Sequence, residues 1–316
     1  MAPSPKFNIF DGFFVLRPML FFPGWSTMLA GYFMPEKNLF VFPGLSAPAA
    51  QPELILFLFF TFGSAMGASF LLNQLRDIET DKANNKLFFL AEGHLTPRML
   101  YVETALLILL SLSAFLFKPV VGLTLVFFIV LTGYLYNYAP FKFKDRLWGS
   151  ILANMLMGAL AFFIGWLARA DFSPRMFSDV LPYLIFNTVL YFFTTLPDRE
   201  GDARANKHTP AVVWGHNTVV IFALVLFFAG LAAAWRVNDL TALFIYLLSL
   251  PFFLPLILRR ELPHTVRATK FGIFFFALII CLKWPGYLIL MMALFFATRL
   301  YFKKRFNFDY PNFKGN

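Results

Sequence analysis

The sequence is poor in cysteine, histidine and charged residues. It holds 1 Cys and 4 His among 316 residues, and 14% of its residues are charged. With Cys281 alone, the chain can form neither a disulfide framework nor a thiolate metal centre by itself. The sequence also contains no His-Glu-x-x-His pair, no Gly-rich phosphate loop and no Gly-x-Ser-x-Gly turn. These absences argue against zinc hydrolases, phosphate-loop enzymes and serine hydrolases of that type.

The sequence is rich in long stretches of apolar residues. Hydrophobic residues make up 59% of the chain, and 45 residues are Phe. Soluble domains are less apolar, and about 20 apolar residues are enough to cross a bilayer as a helix. Stretches near that length lie at 12–34, 52–75, 98–117, 119–138, 147–170, 178–197, 217–235, 239–258, 264–282 and 285–302. We therefore predict an all-α integral membrane protein, a bundle of nine or ten transmembrane helices around a central cavity.

The organisation of the chain follows from these stretches. The first is long for a signal sequence and has no small-residue cleavage site after it, so we expect it to be retained. Residues 1–316 are expected to form a single polytopic membrane domain with pseudo-repeated halves at about 12–140 and 147–283. The stretch 285–302 would then be an extra C-terminal helix.

The formal net charge of +10 is concentrated in alternate loops. The loops on one side carry clusters, which are Arg76, Lys82, Lys86 and Arg98; Lys142, Lys144 and Arg146; Arg199, Arg204 and Lys207; and Arg259, Arg260, Arg267 and Lys270. By the positive-inside rule, that side faces the cytoplasm. We expect a multi-pass protein of the inner or plasma membrane, if the source is bacterial or archaeal, in contact with anionic membrane lipids and with no nucleic-acid partner.

An acidic segment occurs twice, each time at the end of an apolar stretch. The first acidic segment contains Leu75, Asp77, Glu79, Asp81, Asn85 and Lys86, and the second contains Leu196, Asp198, Glu200, Asp202, Asn206 and Lys207. These six positions match at one offset of 121 residues. Single carboxylates at helix ends are ordinarily solvated anchors. Carboxylates are disfavoured at helix C-termini, however, so two matched clusters on one side indicate a shared bound cation.

The spacing within each segment places oxygen atoms on one helix face. Asn73, Asp77 and Asp81 follow one another at intervals of four residues, and Asp198 and Asp202 repeat that interval. Residues four apart are neighbours on a helix surface. Magnesium takes oxygen ligands and commonly binds through one or two carboxylates together with substrate phosphates. The pattern predicts that Mg²⁺ would bridge these carboxylates to a diphosphate.

The same residues carry a family resemblance. Asn73-Gln74-x-x-Asp77-x-x-x-Asp81 and Asp198-x-x-x-Asp202 resemble the paired aspartate motifs of the UbiA-type intramembrane prenyltransferase superfamily. Gln74 replaces a usual aspartate, which is similar to homogentisate- and lipoquinone-type members.

Two further stretches agree with this resemblance, and three positions depart from it. The sequence from Tyr136 through Pro140 to Lys144 resembles the family's Tyr-Ser-x-Pro-Pro-Phe-Arg-Leu-Lys stretch, and Arg17-Pro18 resembles its Arg-Pro pair. The departures are Ala203, where many members have a basic residue; Asn206, where Gly is common; and 87–90, which lacks an Arg-Pro pair. Because of these three departures, the resemblance does not identify the acceptor molecule.

The resemblance implies Mg²⁺-dependent transfer of an isoprenyl group from an allylic isoprenyl diphosphate, with release of diphosphate. The acceptor would be lipophilic and aromatic, a quinone, tocopherol or chlorophyll precursor. The implied catalytic residues are Asp77, Asp81, Asp198, Asp202, Lys142, Lys144 and Tyr136. The implied metal ligands are the same four aspartates and Asn73. The implied substrate-binding residues are Asn73, Arg17, Arg199, Lys207 and Asn154. Each basic residue could equally be a topology determinant.

Other functions stay open at this point. Transfer to a carotenoid or to a glycerol-phosphate lipid fits the same motifs. A CDP-alcohol phosphotransferase also uses membrane-boundary aspartates and Mg²⁺, although Asp202-Ala-Arg204 is only a fragment of its signature. A lipid or ion carrier is the non-enzymatic alternative, but transporter sites tend to lie at the bilayer midplane rather than at helix ends. Asn154 and Asn187 lie within apolar stretches and are expected to face the bundle interior.

Overall fold

The computed structural model describes residues 8–35, 51–83 and 88–311, without the side chains of 79–83, 88 and 91. Its apolar helices are α1 (Ile9–Phe33), α2 (Pro52–Ala83), α3 (Pro97–Phe117), α4 (Pro119–Leu135), α5 (Leu147–Arg169), α6 (Arg175–Thr194), α7 (His216–Arg236), α8 (Leu240–Ile257), α9 (Leu262–Lys283) and α10 (Pro285–Phe306). Within the described ranges there is no strand, and 9 of these helices are long enough to cross a membrane, with α4 shorter. The prediction of an all-α membrane protein is confirmed.

Each predicted apolar stretch coincides with one of these helices, including the extra stretch at 285–302. Neighbours along the chain pack side by side from α2 to α10, and α9 also contacts α1, which closes the arrangement. Helix α1 packs in addition against α2 and α5. Because successive helices run in opposite directions through a membrane, α2, α4 and α6 end on the same side. The two acidic segments and the basic loop after α4 therefore share one face.

The contact between α1 and α5 depends on glycine. A Cβ atom added to Gly31 would lie 2.0 Å from the carbonyl oxygen of Phe162, and one added to Gly165 would lie 1.8 Å from that of Met28. Any side chain at either position would therefore force the helices apart. Close backbone approach through small residues is the usual way in which membrane helices associate. This crossing holds α1 against the helix that carries Asn154.

Helix α1 is broken near one end. Its first segment ends at Val15, Arg17 adopts a left-handed backbone conformation with φ 55°, and a short 3-10 turn follows at Pro18–Leu20. Such a break leaves carbonyl groups without helical partners. Gln74 of α2, buried in the core, donates from Nε2 to the carbonyl oxygen of Val15 at 2.9 Å. Gln74, the departure from the family motif, thus supports the break in α1.

The last helix is tied to the first. Asp11 in α1 is fully buried, and Arg305 of α10 donates to both of its carboxylate oxygens, at 3.2 and 3.1 Å. The Tyr301 hydroxyl donates to the same carboxylate. Arg305 also lies 3.2 Å from Nδ1 of His94, in the connection between α2 and α3. This charged cluster, defined by Asp11, Tyr301, Arg305 and His94, joins three distant parts of the chain.

Candidate active site

A cavity of about 640 Å³ lies between α1, α2, α4, α5, α6 and α9. Its polar end lies where α2, α4 and α6 terminate, and it is lined there by Asp77, Lys144, Asp198, Asp202 and Lys207. The rest of the wall is mostly apolar, with rings such as Phe62 and Phe128. The cavity can therefore hold an anionic group at one end and a hydrocarbon chain in the remainder.

Asp77 is held by contacts from other segments. Both of its carboxylate oxygens accept hydrogen bonds from Lys144 Nζ at 2.6 Å, and its Oδ2 also accepts from Asn73 Nδ2 at 3.1 Å. The Lys144 side chain is only 9% exposed. A charge-assisted hydrogen bond of this kind is about twice as strong as a neutral one. Lys144 therefore fixes the position of the Asp77 carboxylate before any substrate arrives.

A buried amide supports this arrangement. Asn137 is fully buried, its Oδ1 accepts from Asn73 Nδ2 at 2.7 Å, and its Nδ2 donates to the carbonyl oxygens of Thr132 and Gly133 at 2.8 and 3.1 Å. Those carbonyls belong to a π-helical turn over Val130–Leu135, in which the regular bonding pattern is interrupted. The π-helical turn thus creates the acceptors that orient Asn137. Sequence reasoning missed this residue.

The connection after α4 brings Lys144 into the cavity. Its backbone folds back, because Lys142 N donates to the carbonyl oxygen of Tyr138 at 2.9 Å and Lys144 N donates to that of Tyr136 at 3.2 Å. Lys142 itself has a left-handed backbone with φ 40° and does not line the cavity. Of the two basic residues that the sequence offered as equals, Lys144 is the one that faces the acids.

The second acidic segment is built differently. Helix α6 ends at Thr194, and a short separate helix, Arg199–Arg204, carries Asp202. Lys207 Nζ lies 3.4 Å from Asp202 Oδ1, and the Thr209 hydroxyl donates to Asp202 Oδ2 at 3.2 Å. Asp198, an exposed residue, lines the cavity in the turn before this helix. Asp202 is therefore held by contacts within its own loop, and the backbone of His208 joins that loop to the Asp145 carbonyl oxygen at 2.9 Å.

Tyr136 links the two acidic segments. Burial raises the pKa of the Tyr136 hydroxyl to about 12, the neighbouring Asn154 side chain lowers it, and the carboxylates of Asp145, Asp202 and Asp77 raise it further. The Asn154 Nδ2 group donates in turn to the carbonyl oxygen of Ser150 at 2.8 Å. Tyr136 and Asn154, both candidates from the sequence, therefore lie together at the polar end of the cavity.

Several candidates lie elsewhere. Arg17 sits half-buried at the break in α1, within electrostatic reach of Tyr310, and neither it nor the exposed Arg199 lines the cavity. The backbone of Asp81 belongs to α2, but its side chain is outside the described residues. Lys207, Asn73 and Asn154 do line the cavity.

The donor set suits a hard divalent cation that shares its ligands with phosphate. In the part of the chain that the structure describes, no three His, Cys, Asp or Glu side chains form a complete metal centre. Magnesium needs no such cage, since one or two carboxylates and substrate oxygens suffice. Asn73 Nδ2 donates hydrogen bonds to Asp77 and Asn137, and its Oδ1 accepts no hydrogen bond from any described residue. The residues present therefore fit Mg²⁺.

Comparison with known proteins gives consistent matches. The model of the UbiA prenyltransferase family matches residues 25–280. The 2-acyl-4-prenylphloroglucinol 6-prenyltransferase, chloroplastic, of Humulus lupulus is 26% identical over 178 residues, which are 52% of this chain and 42% of that protein. The matched stretch thus spans less than half of that relative's length.

Solved structures share the fold. A UbiA homolog from Archaeoglobus fulgidus bound to DMAPP and Mg²⁺ superimposes with a TM-score of 0.65 at 18% identity, covering 85% of this chain and 99% of that chain. A structure of digeranylgeranylglyceryl phosphate synthase in membranes superimposes with a TM-score of 0.64 at 15% identity, covering 88% and 97%.

Proposed function

The chain belongs to the UbiA prenyltransferase family, and from that membership we propose that it transfers an isoprenyl group from an allylic isoprenyl diphosphate to a lipophilic acceptor, with release of diphosphate. We further propose that the polar end of the cavity faces the cytoplasm, in accord with the basic loops on that side.

One observation carries the proposal: carboxylates from both acidic segments line the mouth of an otherwise apolar cavity, together with Lys207 of the second segment and Lys144 of the connection after α4. An allylic diphosphate has the same division, with an anionic head and a hydrocarbon tail. Asp77, Asp198 and Asp202 would hold Mg²⁺ with Asn73 oxygen as a neutral ligand, and Asp81 is proposed as a further ligand from its place in the motif. When bound, Mg²⁺ supplies positive charge that stabilises the leaving diphosphate.

The lysines supply the remaining positive charge. Lys144 and Lys207 each contact a carboxylate and line the cavity, so either ammonium group can turn from its acid to a phosphate oxygen. Preorganised charges of this kind act where negative charge develops in the transition state. Tyr136 and Asn154, which both line the polar end of the cavity, would position the head of the donor.

The acceptor is proposed to be a phenolic ring. The Humulus lupulus relative is named for prenylation of an acylphloroglucinol, which supports an electron-rich aromatic carbon as the nucleophile. Transfer to a glycerol-phosphate lipid is the second candidate, favoured by the similarity to digeranylgeranylglyceryl phosphate synthase.

The test is a transfer assay on purified protein with geranyl, farnesyl, geranylgeranyl and phytyl diphosphates, with and without Mg²⁺. Phenolic and glycerol-phosphate acceptors are offered, and products are identified by mass spectrometry. We expect Mg²⁺-dependent diphosphate release that is lost in both Asp77→Ala and Asp198→Ala. Glu200→Gln, in the second acidic segment but absent from the cavity wall, is the matched control. Full activity in either alanine variant would contradict a site shared by the two segments.

A further inference from the structure

A polar pair lies in the apolar part of the cavity, away from the acidic end. Asn187 of α6 and Thr27 of α1 both line the cavity. Asn187 lies seven residues before the end of α6 at Thr194, which corresponds to roughly 10 Å along the helix axis at 1.5 Å per residue. This depth is beyond the diphosphate position and within the hydrocarbon part of the cavity. We call Asn187 and Thr27 the inner polar pair.

The hydrogen bonds of the inner polar pair fix the orientation of the amide. The Thr27 hydroxyl donates its single proton to the carbonyl oxygen of Pro23 at 2.9 Å. Its oxygen can then only accept, and it does so from Asn187 Nδ2 at 3.0 Å. The amide nitrogen therefore faces Thr27, and Asn187 Oδ1 must face the opposite way. This oxygen accepts no hydrogen bond from any residue that the structure describes.

Gly158 of α5 makes room for this amide. A Cβ atom added to Gly158 would lie 3.3 Å from Asn187 Nδ2. An alanine at position 158 would therefore require the amide to shift slightly from this position. A polar acceptor without a partner is expensive in an apolar interior. A hydrocarbon chain beside Asn187 Oδ1 would leave that oxygen unsatisfied.

We propose that Asn187 is a specificity-determining residue for the acceptor, and that its Oδ1 accepts a hydrogen bond from a ring hydroxyl of a phenolic substrate. This inference rests on the proposed function and narrows its acceptor to a hydroxylated ring. The isoprenyl tail carries no donor, so the bond selects the acceptor and not the prenyl donor. A site built to bind a hydroxyl group rejects the analogue without it, because its buried acceptor is left unpaired.

The experiment compares each of two phenols, an acylphloroglucinol and 1,4-dihydroxy-2-naphthoate, with its O-methyl ether. Equilibrium binding is measured on the full-length protein without donor and without Mg²⁺, so the result does not depend on catalysis. Wild-type protein should bind at least one phenol about tenfold more tightly than its ether. Asn187→Leu should reduce that ratio to below about threefold by weakening binding of the phenol alone. In the transfer assay, the KM for the phenol should rise more than the KM for geranyl diphosphate.

Two further variants separate recognition from structure. Thr188→Val removes a buried hydroxyl from the next position of α6, where it bonds only the Leu184 carbonyl and does not line the cavity, and should keep full discrimination. Thr27→Val releases the amide to rotate and should lower discrimination by about threefold. If Asn187→Leu fails to fold, the Thr27→Val result decides.

The inference is overturned if wild-type protein binds each phenol and its ether equally, or if Asn187→Leu weakens both members of a pair alike. Equal loss would mean that Asn187 only joins α6 to α1. Failure of the proposed function looks different, since no donor would then be consumed while the difference in binding could persist.

Discussion

The two acidic segments share six residues at matched positions, yet the structure holds them by different means. Asp77 lies within the continuous helix α2 and receives Lys144 from 67 residues away. Asp202 lies in a short helix after the end of α6 and receives Lys207 and Thr209 from its own loop, with its lysine 28% exposed. Similar sequence therefore produces one half of the site that depends on tertiary packing and one half that is local.

This difference suggests different roles for Asp77 and Asp202 in binding the substrate. Asp77 is held in place before substrate binds, because the hydrogen bonds around it come from α2 and from two residues of the connection after α4. Asp202 makes its ion pair and its side-chain hydrogen bond with residues at most seven positions away, and local structures of this kind open at lower free energy than the core. We expect the first half to set the position of the diphosphate and the second to adjust around it.

Removal of a carboxylate should lower kcat/KM more than any other change. The loss should be equal for the first and the second acidic segment. Asp77→Asn and Asp198→Asn are each expected to lower kcat/KM for geranyl diphosphate by about 10³-fold or more, because charge that stabilises the transition state is lost. Transfer kinetics at saturating Mg²⁺ measure it. A loss in only one variant would show that the halves are not functionally equivalent.

Removal of the lysines should lower kcat/KM by different amounts in the two halves of the site. Lys144→Met leaves the Asp77 carboxylate without its charged partner and is expected to lower kcat/KM by about 10²-fold. Lys207→Met disturbs a longer, more exposed pair and should lower it by about tenfold at most. Lys142→Met, whose side chain does not line the cavity, is the matched control. Equal losses for Lys144 and Lys207 would remove the distinction between tertiary and local support.

The supporting polar groups provide a finer comparison. Asn137→Leu removes one of the two acceptors of the Asn73 amide and leaves the carbonyls of Thr132 and Gly133 without this donor. We expect about tenfold lower activity and a loss of about 1–3 kcal/mol in stability. Thr209→Val removes one hydroxyl from the local half and should change activity by less than about threefold. Thermal unfolding and transfer kinetics on the same preparations test both. If Thr209→Val lowered activity or stability more than Asn137→Leu, the site would depend more on the local contacts of Asp202 than on the tertiary contacts of Asp77.

The smallest effect concerns matched positions just before the aspartates. Gln74→Leu removes the donor to the Val15 carbonyl at the break in α1, and we expect about 1 kcal/mol lower stability with unchanged activity per folded molecule. Thr195→Val, at the equivalent position of the second segment, removes a hydroxyl that bonds only within its own turn and should lower stability less. Melting temperatures in the same membrane mimetic compare the two.

Much of the architecture could be predicted because a stretch of about 20 apolar residues is by itself a strong signal for a transmembrane helix. All ten stretches became helices, and the family resemblance read from Asp77, Asp81, Asp198 and Asp202 is confirmed by the match over residues 25–280. The roles of the individual residues stay predictions. Alternation of helix direction sufficed to bring the acidic segments and Lys144 to one face.

The rest depended on backbone details without a periodic signal. The π-helical turn that orients Asn137 and the left-handed residues Arg17 and Lys142 change which side chains face inward. Lys142 has the left-handed backbone and does not line the cavity, whereas Lys144, with the same charge, does. The one available hint was Asn137 itself, a polar residue beside the Tyr136 candidate that received no role.

The buried pair between Asp11 and Arg305 sets a condition on how the molecule is made. The two residues are 294 positions apart, so the acid of the first helix is synthesised long before its partner. At translation rates of about 5–20 residues per second, Asp11 waits roughly 15–60 s for Arg305. Until then the Asp11 carboxylate, in the first turn of the first helix, lacks the guanidinium that neutralises it in the folded protein. The charged contact between the first helix and the last can therefore form only after the last helix has been synthesised.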